Sequence, residues 1–190
     1  MLTIKHINTQ IVLGLLDLNL FKINHPDLPK RELEKAGSIF AFKAILGDTF
    51  TAINYSDSGK PYLANRPEYI SISHSHDYLA VMMNAIENTG IDIELVRDKV
   101  KHVKHKFLRD DEAKQAMDDV EKLIRYWSAK ECLYKLHGLK GLDFITNLSV
   151  QDFDNNKIIG KITKHDYNKT FMLAWEKLGN YILVYSLYEI

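Results

Sequence analysis

The chain has 190 residues, with 25 Lys and Arg side chains against 25 Asp and Glu side chains, and 46% of its residues are hydrophobic. These values predict one compact unit with a sizeable core, and the zero net charge provides no overall field for collecting nucleic acid or an anionic membrane surface. A single cysteine, Cys132, excludes an intramolecular disulfide framework and favours a reducing compartment, so a cytoplasmic location is expected. The most apolar N-terminal stretch, residues 11–21, is interrupted by Asp17 and Asn19 and is shorter than the roughly 20 apolar residues of a membrane span, so neither a span nor a signal peptide is expected.

In the first half of the chain, a helix is predicted over residues 29–46, followed by short strands. Apolar residues recur there at helical spacing, and Gly47 provides a stop. Strands are predicted over residues 69–73, 78–84 and 90–95, because each run is rich in β-branched or aromatic side chains and is bounded by turn residues.

The second half repeats this order of helix and strands. Helical segments are predicted over residues 99–107 and 110–117, and a stronger helix over residues 120–137, closed by Gly138. Strands are predicted over residues 148–153, 157–163, 170–175 and 181–188, with the pair Asn155 and Asn156 as a turn between the first two. The fold class is therefore α+β, and a five-residue likeness between residues 77–81 and 180–184 is compatible with an internal duplication.

Two carboxylates stand close together in the sequence Gly-Ile-Asp-Ile-Glu at residues 90–94. Strand alternation places Asp92 and Glu94 on one face, with the isoleucines turned to the core. Neighbouring carboxylates with substrate phosphates are a common way of holding Mg²⁺, although a solvated acidic face on a strand has the same pattern.

The strong helix contains the sequence Trp-Ser-Ala-Lys-Glu-Cys-Leu-Tyr-Lys at residues 127–135. Trp127, Glu131 and Lys135 are spaced one helical turn apart, so Trp127 is expected to anchor the helix while Glu131 and Lys135 project together. With Lys130 beside them, they would offer one acid and two bases to a phosphate. An ordinary Glu-to-Lys pair on a helix surface would look the same.

Two further segments offer groups that can bind an anion. A strand-like run ends in Ser-Ile-Ser-His-Ser at residues 71–75, where Ser73 and His74 could donate hydrogen bonds, and Lys60 lies in a Gly-Lys-Pro turn. A capped turn and a plain loop remain alternatives. A Ser/His nucleophile is also conceivable, but no Gly-x-Ser-x-Gly elbow accompanies it.

Taken in this order, the four motifs resemble the 4′-phosphopantetheinyl transferase superfamily, specifically its larger monomeric type, which activates peptide and polyketide synthetases. The resemblance covers about residues 59–141. It implies a pseudo-dimer of two similar halves, each a helix packed on a small antiparallel sheet, with the active site in the cleft between them. The expected halves are residues 1–95 and 96–190, in one compact unit.

The resemblance also implies the reaction. A serine hydroxyl of an apo acyl or peptidyl carrier protein attacks the β-phosphate of coenzyme A, which leaves phosphopantetheine on the serine and releases adenosine 3′,5′-bisphosphate. Asp92, Glu94 and Glu131 match the ligands of Mg²⁺, for which Mn²⁺ is an equally suitable ion. Glu131 would act as the general base, directly or through water, and Lys130 or Lys135 would stabilise the leaving phosphate.

The residues expected to bind coenzyme A match the family motifs, apart from an arginine chosen from the first predicted helix without a clear register. They are Lys60, Ser73, His74, Lys130, Lys135 and Arg31. Many carrier proteins are acidic around the modified serine, so the basic run at residues 99–106 is a candidate docking surface. No nucleic-acid or membrane partner is expected.

Two other functions share these residue types. A magnesium-dependent nuclease or other phosphodiester enzyme would also cluster acids with a lysine, but Leu95 and Val96 follow Glu94 where such a site commonly has a lysine. A non-catalytic relative that binds coenzyme A or a carrier protein is the second alternative, although loss of catalysis should erode at least one of the three acids.

Overall fold

The computed structural model describes residues 1–152 and 156–190 and contains two antiparallel sheets, each covered by a long helix. The first part of the chain forms β1 (Leu2–His6), β2 (Ile11–Asp17), α1 (Leu18–Ile23), α2 (Lys30–Leu46), β3 (Ile53–Tyr55), β4 (Pro61–Leu63), β5 (Tyr69–Ser75) and β6 (Tyr78–Asn84). The second part forms β7 (Ile91–Leu95), α3 (Val100–Val103), α4 (Asp110–Ala116), α5 (Val120–His137), β8 (Leu148–Asp152), β9 (Lys157–Lys164), β10 (Tyr167–Leu178) and β11 (Tyr181–Glu189). The predicted strand end at Phe153 and the turn residue Asn155 lie outside the described residues.

The two sheets have the same topology. Their strand orders are β1-β2-β6-β5-β4-β3 and β7-β11-β10-β9-β8, so removing β1 leaves two identical patterns in which a strand and a helix precede a four-stranded meander. The α+β fold with two similar halves is thereby confirmed. The expected boundary after residue 95 differs from this topology, because β7 pairs with β11 and belongs to the second sheet.

The long helices begin and end where local chemistry dictates. The Asp119 carboxylate accepts the Lys122 backbone N–H at the start of α5, and Gly138 ends that helix in the left-handed region at φ 73°. In the same way α2 follows Pro29 and ends at Gly47, whose φ is also positive. None of the helices in the described part of the chain is both long enough and apolar enough to cross a membrane.

A shared apolar layer joins the two halves. Each helix packs on its own sheet, and a third buried cluster combines residues of β2 and β6 with residues of β7 and β11. Tyr78 and Tyr181, which occupy equivalent positions at the starts of β6 and β11, meet edge to face at 4.9 Å between ring centroids. The Tyr181 hydroxyl also donates to the Asp77 carboxylate at 2.8 Å. The halves therefore form one body, with a cleft where α2 and α5 approach the junction.

Candidate functional site

A glycine lets the acidic strand approach the main helix. A Cβ atom on Gly90 would lie 2.1 Å from the carbonyl oxygen of Cys132 and 3.1 Å from the Leu136 nitrogen, both backbone atoms of α5. Only glycine fits at this distance, so β7 starts in direct contact with the helix. The Cys132 thiol lies between the two elements and donates to the Gly90 carbonyl at 3.2 Å, and its burial raises its pKa.

Alternation along β7 then separates its apolar and acidic side chains. Ile91 and Ile93 are fully buried in the layer between the sheets, whereas Asp92 and Glu94 face α5. Asp92 is only 3% exposed, and Glu94 is half-buried. The motif therefore places the carboxylates of Asp92 and Glu94 between β7 and α5.

One stripe of α5 meets both carboxylates. The Trp127 indole N–H donates to Glu94 Oε1 at 3.3 Å, and two turns later Lys135 Nζ donates to Asp92 Oδ1 at 2.7 Å and to the Ile91 carbonyl at 3.1 Å. Glu131 lies midway between them on the helix, one turn from each. The structure therefore brings Asp92, Glu94, Glu131 and Lys135 together, as the motif spacing predicts.

The cluster carries more negative charge than its own lysine compensates. Burial, with repulsion from Asp92 and Glu94, raises the pKa of Glu131 to about 7, and burial together with Asp92 also raises the pKa of Glu94. In addition, Asp92 Oδ2 is buried and has no hydrogen-bond partner. Such a donor set suits a hard divalent cation, which would satisfy the orphaned oxygen and relieve the repulsion.

The side chains as they stand are not arranged as a finished coordination shell. Within residues 1–152 and 156–190, no group of three or more His, Cys, Asp or Glu side chains lies close enough together to hold a metal ion. Asp92 and Glu94 are instead hydrogen-bonded to Lys135 and Trp127. The fit to a metal ion therefore rests on the oxygen donors, their uncompensated negative charge and the unpaired Asp92 Oδ2, and the geometry of a coordination shell does not contribute to it.

A cavity of about 630 Å³ adjoins the acids, lined by α2, the β3–β4 turn, β5 and the C-terminal end of α5. Its lining includes four cationic and two acidic side chains, with His74 on the same wall: Arg31, Lys35, Lys60 and Lys135, and Glu32 and Glu34. Lys135 belongs both to this wall and to the acidic cluster, so the cavity and the carboxylates form one continuous site.

Lys60 crosses from the first half to the end of α5. Its ammonium donates to the Leu136 carbonyl at 3.1 Å and to the Asn88 side chain at 2.9 Å, so it partly caps the negative end of the helix. Burial lowers the pKa of Lys60 to about 8. The amine is therefore half-buried rather than freely exposed as its loop sequence suggests, yet it still borders the cavity.

His74 has a carboxylate partner that the sequence motifs did not reveal. Its Nδ1 atom lies 3.2 Å from Glu34 Oε1, and Glu34 comes from the facing helix α2. The pairing joins residues 40 positions apart, so it could not be predicted without the fold.

Lys130 does not join this cluster. It is completely buried on another side of α5, where its ammonium donates to Glu112 Oε2 at 2.6 Å and to the carbonyls of Phe107 at 2.7 Å, Phe144 at 2.8 Å and Leu148 at 3.1 Å. Four partners inside the core leave no surface for a phosphate. Lys130 is thus a structural residue of the second half, in contrast to its expected position beside Lys135.

Ser73 also differs from expectation. It is 6% exposed, and its hydroxyl donates to Asp92 Oδ1 at 2.9 Å while accepting the Ile93 backbone N–H at 3.2 Å. Ser75 makes the equivalent donation to Glu94 Oε2 at 2.9 Å. Sequence reasoning missed Ser75, although its spacing of two from Ser73 places it on the same strand face.

Comparison with known proteins agrees with this geometry. A sequence model described as the 4′-phosphopantetheinyl transferase superfamily matches residues 88–186, just over half of the chain, from the acidic strand through the end of the second sheet. No curated protein matches the chain. The chain therefore belongs to the 4′-phosphopantetheinyl transferase superfamily, whose members transfer phosphopantetheine.

Proposed function

We propose that this protein transfers 4′-phosphopantetheine from coenzyme A to a serine of an apo acyl or peptidyl carrier protein in a Mg²⁺-dependent reaction. The observation that carries the proposal is the continuity of the site. A cavity whose lining has more cationic than acidic side chains borders the place where Asp92 and Glu94 face the helix that carries Glu131, and Lys135 belongs to both. Phosphoryl transfer requires this combination of anion-binding cations and acidic ligands for a divalent ion.

Asp92, Glu94 and Glu131 are the proposed metal ligands, and Mn²⁺ would suit the same oxygen donors. A divalent ion bound there would neutralise negative charge on the pyrophosphate oxygens. The orphaned Asp92 Oδ2 and the raised pKa values of Glu94 and Glu131 support this assignment.

Lys60, His74, Lys135 and Arg31 are the proposed contacts of coenzyme A. All four line the cavity, and Arg31 is exposed on the first turns of α2. The positive charges of Lys60, Lys135 and Arg31 and the ring nitrogens of His74 suit the phosphates at separate points of an extended ligand. Lys130 and Ser73 are omitted, because their polar atoms are engaged inside the protein.

In the proposed reaction, the carrier serine oxygen bonds to the β-phosphorus of coenzyme A and the bond from that phosphorus to the bridging oxygen breaks. Glu131 takes the serine proton, and adenosine 3′,5′-bisphosphate leaves with the bridging oxygen and its electron pair. Lys135, at the junction of cavity and acids, stabilises charge on the departing phosphate.

The two halves in one chain support assignment to the larger type, acting as a monomer, because the cleft that forms the site lies between halves of the same chain. A cytoplasmic location would give access to coenzyme A and to carrier proteins. The basic segment at residues 99–106 is the proposed surface for an acidic carrier.

The experiment is incubation of the purified protein with coenzyme A, Mg²⁺ and an apo carrier protein, followed by intact mass of the carrier. The expected result is a mass gain of one phosphopantetheine group that requires the metal and is lost in Asp92→Asn and Glu131→Gln. Glu121→Gln is the matched control, since Glu121 lies on the same helix and pairs only at the surface with Lys177. Coenzyme A binding without mass gain across several carriers would favour a non-catalytic relative, and absence of both would refute the proposal.

A further inference from the structure

Three serines at alternate positions of β5 contact the free edge of β7. β7 pairs with β11 on one side only, so its other edge presents backbone N–H groups that no strand of its own sheet accepts. Serine hydroxyl oxygens of the first sheet accept them instead: Ile91 N to Ser71 at 3.1 Å, Ile93 N to Ser73 at 3.2 Å and Leu95 N to Ser75 at 3.2 Å. We call these three residues the serine ladder.

The serine ladder is buried at the junction of the two halves. Ser71, Ser73 and Ser75 are 3%, 6% and 7% exposed. Each hydroxyl stands in for the backbone carbonyl that a neighbouring strand would supply, which satisfies polar groups that would be costly to bury alone. The ladder thereby fixes the register of β5 against β7, although the two strands belong to different sheets.

Two of the three hydroxyls do more than accept. A serine hydroxyl has a single proton, and an ionised carboxylate only accepts. Ser73 donates its proton to Asp92 Oδ1 and Ser75 donates its proton to Glu94 Oε2, both at 2.9 Å. Because each oxygen is already fixed by a backbone N–H, the direction of each donated bond is fixed as well.

Each acid is consequently held from both sides of the cleft. Asp92 is bonded by Ser73 from the first half and by Lys135 from α5, and Glu94 is bonded by Ser75 and by Trp127 in the same manner. Ser73 and Lys135 share Asp92 Oδ1, whereas Ser75 and Trp127 bond different oxygens of Glu94.

We propose that Ser73 and Ser75 are positioning residues that orient Asp92 and Glu94 for a divalent cation, so that the first half of the chain builds the metal site of the second. This inference rests on the proposed function, because it concerns the same carboxylates. Hydrogen bonds from surrounding residues to metal-binding carboxylates commonly determine affinity for the ion.

Ser71 provides an internal control. It makes the same backbone bond as the other two, but no carboxylate in residues 1–152 or 156–190 accepts its proton. Replacing Ser71 by alanine removes only the ladder bond, whereas Ser73→Ala and Ser75→Ala remove a ladder bond and a carboxylate donor. The difference between the variants isolates the contribution to metal binding.

The test measures Mn²⁺ binding to the full chain by electron paramagnetic resonance, together with thermal unfolding and, in EDTA, coenzyme A binding by calorimetry. All three alanine variants should lose thermal stability, and Ser73→Ala and Ser75→Ala should lose at least as much as Ser71→Ala, because they also remove a donor to a carboxylate. Ser73→Ala and Ser75→Ala should raise the dissociation constant of Mn²⁺ by roughly 10-fold or more, as loss of such partners does elsewhere. Ser71→Ala should leave Mn²⁺ affinity unchanged, and coenzyme A affinity in EDTA should be the same in Ser73→Ala and wild type.

Ser73→Thr keeps the hydroxyl but adds a methyl group to a buried site, so it should lose stability while retaining Mn²⁺ affinity. If Ser73→Ala does not fold, Ser75→Ala carries the same test at Glu94. Mn²⁺ affinities equal to that of Ser71→Ala would overturn the inference while the proposed function stands. Weaker coenzyme A binding by Ser73→Ala in EDTA, with Mn²⁺ affinity intact, would make Ser73 a phosphate contact instead. Failure of the wild-type protein to bind Mn²⁺ would remove the metal site and the inference with it.

Discussion

Replacing Lys130 by methionine should destabilise the second half strongly without acting directly on coenzyme A binding. The Lys130 ammonium has no exposed surface, and its ion pair with Glu112 is 2.6 Å long between side chains that are 0% and 2% exposed. Glu112 Oε1 also accepts the Val150 backbone N–H at 2.8 Å, so the carboxylate links α4 to β8. The pair therefore connects α5, α4 and β8.

The expected loss of stability follows from the unpaired charge of Glu112 that Lys130→Met leaves in the core. Removing one partner of a buried ion pair costs about 3–5 kcal/mol, because the other charge stays buried without compensation. For a chain of this size each kcal/mol lowers Tm by about 2–4 °C, so Lys130→Met should lower it by roughly 6–20 °C. The double variant Lys130→Met, Glu112→Leu should recover part of this loss, since it removes the unpaired charge, but two backbone N–H groups then lose their acceptor.

Thermal unfolding of the single and double variants, with coenzyme A calorimetry at low temperature, provides the measurement. Folded Lys130→Met should bind coenzyme A as the wild type does, whereas Lys135→Met should bind it much more weakly. A Lys130→Met variant with unchanged Tm and lost coenzyme A affinity would refute the assignment of Lys130 to the core.

Two glycine substitutions and one lysine substitution test the cleft, and Gly179→Ala serves as a control. Gly90→Ala should cost about 3 kcal/mol or more, at the upper end of overpacking, because its Cβ would lie 2.1 Å from the Cys132 carbonyl oxygen; urea unfolding measures the loss. Gly138→Ala should lower both Tm and coenzyme A affinity, since φ is +73° and the Cβ would lie 2.5 Å from Lys60 Cδ, whereas Gly179→Ala, with φ +58° and open space, should lower Tm only slightly. Coenzyme A affinity should fall by up to about tenfold per pH unit as pH rises through the Lys60 pKa of about 8, because the deprotonated amine no longer carries the charge that binds a phosphate. Calorimetry at several pH values should show that Lys60→Gln lacks this pH dependence.

The parts of the site that could be predicted follow from local rules. Strand alternation correctly separates Asp92 and Glu94 from their isoleucine neighbours, and helical spacing correctly aligns Glu131 with Lys135. Both patterns repeat over two to four residues, so they are independent of the rest of the fold. Gly138 marks the end of the helix for an equally local reason, which is its left-handed backbone.

The parts that could not be predicted depend on contacts between distant segments. Adjacency to Glu131 suggested a phosphate role for Lys130, but neighbours in a helix point about 100° apart, and Lys130 shares the buried face of Tyr126 and Leu133. The helical spacing of those apolar residues was the available signal. The sequence could not identify Glu112 as the partner of Lys130, because the two residues meet only when α4 packs against α5.

The first sheet was harder to predict for reasons of length and burial. β2 is a run of apolar residues in which all but two are fully buried, so it lacks the alternation that reveals a half-exposed strand. β3 and β4 have three residues each, too few for any periodicity. The family match covers residues 88–186, so it gives no information on the strands of the first sheet.

The matching strands β2 and β7 differ at the two positions that carry Asp92 and Glu94 in the second half. β2 pairs with β6 as β7 pairs with β11, and with Tyr78 aligned to Tyr181 the counterparts of Asp92 and Glu94 are Gly14 and Leu16. Gly14 lies against Ile45 of α2, and Leu16 is buried in the core beneath that helix, so this face of the first half is filled with apolar atoms. The first half therefore contributes to the site through other elements. Helix α2 forms one wall of the cavity, and the hydroxyl groups of Ser73 and Ser75 on β5 donate hydrogen bonds to the acids of β7.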